Sequence, residues 1–297
     1  MKDTKMEAEI IFETHLPDAL RRALEYAGDD GFVASMPQLL QARVNADYEN
    51  EIWNTWFFTS NSEESLAITV QGNPVAVMVH GGGIFATPDR FRKLYLSSVS
   101  RYSKTGFTGL FGAKIAEHEA RDVVEGKLPD GTEIPVFPFD EFRQGINDLP
   151  RRYAVVMDFE MARKSICGYA SFDALKHDPL MIVRAGGVEA AAAYLDKAQG
   201  YYNTEVMGSW HRYNHMNPGQ SQTYIQFLYD CLGGASDQVD PANRQQGNSE
   251  SWFTHYRVSR DSGFGLRSDY AMINMARYVA VAPRNELARV RHLTFTS

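Results

Sequence analysis

Residues 65–83 read Ser-Leu-Ala-Ile-Thr-Val-Gln-Gly-Asn-Pro-Val-Ala-Val-Met-Val-His-Gly-Gly-Gly, and they decide how the rest of the chain is read. Leu66–Val70 and Pro74–His80 are short apolar runs separated by Gln71-Gly72-Asn73, the pattern of two strands joined by a turn. The second run is apolar at nearly every position, which predicts a central strand covered on both faces. Thr87 as a cap and Pro88 at the first helical position predict a helix soon after it.

Outward from this point, apolar runs and helical patterns alternate. Upstream, Leu16–Gly28 has a proline in its first turn and a glycine stop, and a second helix begins near Pro37. Downstream come a helix over 115–125, a strand over 134–137, a short helix from Asp140 and a strand Arg152–Asp158. A helix Phe172–Lys176, a strand Leu180–Arg184, a helix over 188–198 and a strand reaching Val206-Met207 complete the series. Such alternation implies crossover connections, so the expected fold is α/β, with a mostly parallel central sheet and flanking helices. Residues 233–269 are rich in Gly, Asn, Gln, Ser and Asp, and are expected to form a long ordered segment serving as a lid or an interface. The run Tyr270–Ala282 is expected to return to the sheet, with a helical first half as the alternative. No repeat and no interdomain linker interrupts the chain, so residues 1–297 are read as one domain.

Composition narrows the function classes. The chain has 297 residues and a formal net charge of -7, with no dense cluster of Lys and Arg. A nucleic-acid or anionic-membrane partner is therefore not expected, since both require clustered basic groups. No window approaches the roughly 20 apolar residues of a membrane span. Cys167 and Cys231 are the two cysteines, too few for a secreted disulfide framework. Together with a charged N-terminus lacking an apolar signal core, they give a cytoplasmic expectation.

Three constellations carry candidate chemistry. In the first, Gly81, Gly82 and Gly83 follow His80 at the end of the buried run. Glycines there let backbone N–H groups approach an anion closely, next to a helix N-terminus; the alternative is a tight turn that needs glycine for packing only. Val79–Gly83 resembles the oxyanion-hole string of the hormone-sensitive-lipase type of α/β-hydrolase, and is also similar to the glycine-rich turn of acetylglutamate-kinase-like amino-acid kinases. The first resemblance implies a hydrolase and the second a kinase. No G-x-S-x-G elbow accompanies it and no Lys-Gly pair opens a first strand, so no family is assigned.

The second constellation is Asp158 and Glu160 at the end of a predicted strand. Extended chain would set them on one face about 7 Å apart, a spacing suited to a shared cation or to acid/base work. The alternative is a helix-capping Asp158 and a solvated Glu160.

The third is Trp210-His211-Arg212-Tyr213-Asn214-His215. His211 and His215 with one carboxylate would make a two-histidine, one-carboxylate metal site, which makes a divalent metal a candidate cofactor. A hydrogen-bonding or acid/base role for one histidine is the other reading. Arg184, at a predicted strand end, and Trp210 are candidate ligand contacts.

Two functions follow. The main expectation is an enzyme on a small polar or anionic molecule, a hydrolase or lyase, with His80, Asp158, Glu160, His211 and His215 catalytic and Gly81–Gly83 binding the negative group. The alternative is a non-catalytic small-molecule-binding or assembly protein, a homo-oligomer included. For that reading Tyr201, Tyr202, Trp210, Trp252 and Phe253 offer aromatic contact surface. The two separate on geometry, because the enzyme needs its acids and histidines to converge around the glycine loop.

Overall fold

A computed structural model describes residues 6–13, 16–54, 57–84, 87–93, 113–114, 116–165, 169–202, 206–207, 224–231 and 276–283. The N-terminal part runs β1 (Met6–Glu13), α1 (Leu16–Ala27), β2 (Phe32–Val33), α2 (Met36–Asn45), α3 (Glu51–Asn54), β3 (Phe57–Ile68) and β4 (Pro74–His80). A helix over 88–93 (α4) precedes β5 (Ala113–Lys114), α5 (Glu117–Asp122), a 3-10 turn at Val123–Glu125, β6 (Val136–Pro138) and α6 (Phe139–Phe142). Then come β7 (Tyr153–Asp158), α7 (Phe159–Lys164), β8 (Tyr169–Ala170), α8 (Phe172–Lys176), α9 (Pro179–Ala185) and α10 (Val188–Tyr202). The last strands are β9 (Val206–Met207), β10 (Tyr224–Cys231) and β11 (Ala276–Pro283).

The expected parallel sheet is not what forms. Six strands lie in the order β5-β10-β3-β4-β7-β6, and every pair is antiparallel except β6 with β7. A second sheet, β1-β11-β2, is wholly antiparallel and joins the first and last described strands over eight residue pairs. The α/β assignment is thereby corrected to a mixed, mainly antiparallel architecture with helices. The error lies in chain direction, which apolar alternation does not encode. The excursion from β4 to β7 returns antiparallel, with Val75 opposite Asp158 and His80 opposite Tyr153.

Local chemistry explains the elements. In α2 the Gln38 side chain accepts from the Ser35 amide at 2.8 Å, and Pro37 occupies the first turn. Residues 180–184, expected as a strand, belong to α9 instead. Asp178 accepts from the Met181 amide at 2.9 Å, Pro179 opens the helix, and Gly186 closes it at φ 93°. A wholly buried helix shows no polar face, so a run such as Leu-Met-Ile-Val does not distinguish it from a strand.

The expectation of a central β4 holds. Val75, Val77 and Val79 pack with Ile11, Leu20, Phe91 and Tyr278 on one side of the sheet. Ala76 and Met78 pack with Met36, Leu40, Leu180 and Tyr194 on the other.

Candidate functional site

Alternation along β4 carries His80 onto the face covered by α2 and α9, where it is fully buried. Its Nε2 lies 3.1 Å from the Val183 carbonyl oxygen, so this nitrogen carries the proton and donates. Nδ1 is then the acceptor, 2.9 Å from Ser62 Oγ. Ser62 Oγ in turn accepts from the Met36 amide at 2.9 Å. Burial lowers the His80 pKa to about 3; the hydrogen bond to Val183 opposes that shift and the Arg184 charge reinforces it. A serine–histidine pair is thus present, sealed from solvent, with a neutral carbonyl where a triad has its carboxylate.

The glycine loop is likewise occupied by the protein itself. The amides of Gly81 and Gly82 both donate to the Asn61 carbonyl, at 2.9 and 3.0 Å. The Ile84 amide donates to Glu63 Oε2 at 2.7 Å, so the acceptor beside the glycines is a side chain of β3. Arg152 locks the turn from outside: its Nε donates to the Gly82 carbonyl at 2.7 Å, and its other nitrogens reach Thr132 and Asp130. Glycine is required here. Gly81 and Gly82 have φ of 84° and 105°, a Cβ on Gly81 would strike the Arg151 carbonyl oxygen, and one on Gly83 would strike Glu63.

Arg184, expected as a ligand contact at a strand end, is buried on α9, with Nη2 donating to Glu64 Oε2 at 2.5 Å. Asp158 and His80 do not converge. The β4–β7 register sets them five residues apart along the ladder, roughly 17 Å at the antiparallel repeat. Asp158 caps α7 by accepting from the Met161 amide at 3.1 Å, and Glu160 is exposed beside Arg163. Trp210, His211 and His215 lie outside the described residues, as do residues 233–269.

The groups that the sequence reading passed over lie in β3. Thr59, Ser60, Asn61, Ser62, Glu63, Glu64 and Ser65 are all buried, a polar run inside a central strand. Its signal was the hairpin itself. With Ile68 opposite Pro74, extending the ladder backwards sets Glu63 opposite Val79 and Ser62 opposite His80.

Among the described residues no group of three or more His, Cys, Asp or Glu is placed to hold a metal ion. None of their helices is long and apolar enough to cross a membrane.

No protein-family model and no curated protein matches the chain. A solved structure described as "Accommodation of massive sequence variation in Nanoarchaeota by the C-type lectin fold" is similar to it, with a TM-score of 0.56 at 19% sequence identity. The match covers 93% of this chain and 98% of that one. The fold is therefore of the C-type lectin kind. This corrects the α/β-hydrolase resemblance and the hydrolase or lyase expectation built on it, because a short glycine string recurs wherever a tight turn brings backbone close to other groups.

Proposed function

We propose that the chain is a non-catalytic binding protein in which the long segment 232–275 supplies the ligand contacts and the described elements supply a rigid frame. One observation carries this reading. The chain leaves β10 at Cys231, opposite Phe57, and re-enters at β11, where the Arg277 amide lies 3.3 Å from Thr59 Oγ1. Both ends of the segment are thus anchored within the first three residues of β3. A long excursion hung from one corner costs the frame little, because loop-closure entropy grows only slowly with length. Binding surfaces are commonly built on such excursions from a stable scaffold.

Further support comes from the frame's own polar groups. His80, Glu63, Glu64, Arg184 and the Gly81 and Gly82 amides are committed to internal bonds, which is the work of a scaffold. The similar structure is of a C-type lectin fold that accommodates massive sequence variation, in keeping with a frame that carries a changeable surface. Trp252 and Phe253 within the segment supply flat apolar contact, suited to a sugar-like or aromatic ligand or to a second subunit.

Thermal-shift screening against arrayed oligosaccharides and small aromatic acids tests the proposal. A ligand that binds the folded state should raise the wild-type Tm by several degrees at saturating concentration. The double variant Trp252→Ala/Phe253→Ala should keep the unliganded Tm and lose the shift. An unchanged shift in that variant contradicts the assignment.

A further inference from the structure

We propose that His80 is an acid-sensitive latch holding the α2–α9 layer against the six-stranded sheet. The geometry is that of a tie. The imidazole sits at the end of β4, with no exposed surface, and its two nitrogens bond to two other elements. Through Nε2–H it holds the Val183 carbonyl of α9, near that helix's C-terminal end. Through Nδ1 it accepts from Ser62 of β3, whose oxygen receives the first amide of α2. One neutral ring therefore ties both helices to the sheet, and only one tautomer satisfies every partner.

Among the described residues the surroundings give a second proton no counter-charge of its own. From β7 the ring meets Tyr153, at 5.0 Å between centroids. From α9 the charge that acts on it is Arg184, a cation. From β3 the carboxylate on the same face is Glu64, already bonded to Arg184. From α2 only the Met36 amide reaches the network, through Ser62.

In the closed layer the imidazole therefore stays neutral down to about pH 3. Once the layer opens and the ring is hydrated, it takes up a proton near its ordinary pKa of about 6.5. Protons thus bind the open form in preference. Between these two values the opening equilibrium should rise roughly tenfold for each unit that the pH falls. Above about pH 6.5 both forms are neutral and the latch holds fully. The latch is independent of the ligand contacts assigned to segment 232–275.

Hydrogen exchange on the full chain between pH 4 and 7.5, with rates divided by the intrinsic exchange rate, reads the device by element. Opening of α2 and α9 should grow roughly tenfold per pH unit below 6.5, ahead of the β1–β11 ladder, and His80→Asn should flatten that dependence. Equal growth in all elements, or an unchanged slope in the variant, overturns the proposal. Should His80→Asn fail to fold, the wild-type comparison between elements is joined by a heteronuclear NMR titration of the imidazole. A His80 signal titrating near 6.5 in the folded protein overturns the proposal; one that stays neutral to below pH 4 upholds it.

Discussion

Gly72 and Gly81 share nearly the same left-handed backbone, φ 86° and 84°, in opposite surroundings. A Cβ at Gly72 would meet nothing within 4 Å, whereas at Gly81 it would drive into the Arg151 carbonyl. Gly72→Ala should therefore cost only the left-handed penalty, about 1–2 kcal/mol. Gly81→Ala should cost more, since the Asn61 and Arg152 contacts to this turn must shift as well, and urea denaturation of the two variants checks the order. His80 and its three glycines were legible in the sequence as a close approach of backbone. What the sequence hid was the partner: the Gly81 and Gly82 amides meet the Asn61 carbonyl, and the Ile84 amide meets Glu63. The polar run of β3 shows no apolar pattern, so Glu63 was not recognised as part of this turn. Asp158 was legible in both its readings, and the cap at Met161 is the one formed.

At the scale of elements, the apolar code located α1, β4, β7 and α8 to within a residue or so, because each shows its periodicity or its caps. It missed most of β3, where burial falls on polar side chains, and it misread α9, where no polar face exists. The Arg184–Glu64 pair joins these two elements and shows why they are inseparable. Arg184→Met alone should destabilise the protein by about 3–5 kcal/mol, because it strands a buried carboxylate. Adding Glu64→Leu should recover a large part of that loss, since replacing both partners removes the uncompensated charge. A double-mutant cycle by chemical denaturation checks this, and equal losses in the single and double variants would show that the pair does not couple α9 to β3. Strand direction was beyond the sequence reading for a related reason. Direction depends on where the chain returns after residues 81–152, and no local pattern in that stretch records it.

For the whole molecule, the function proposed above assigns the frame to the described elements and the ligand contacts to residues 232–275. The frame closes on itself: β1 and β11 pair along their full length, Tyr278 and Ile11 join the core beneath α1, and β10 runs beside β3 in the larger sheet. The hydrolase or lyase expectation fell with the fold it rested on: His80, Gly81, Gly82 and Arg184 hold the frame together, while Trp210, His211 and His215 lie outside the described residues. The measurement that bears most directly on this account replaces residues 232–275 with a Gly/Ser linker of about eight residues, which spans roughly 15 Å. Circular dichroism and thermal denaturation are then read beside the oligosaccharide and aromatic-acid screen. The account predicts that the far-ultraviolet spectrum, cooperative unfolding and Tm survive to within a few degrees, and that every ligand-induced shift seen in the wild type disappears. A shortened protein that no longer folds, or one that still shows the wild-type shifts, contradicts it.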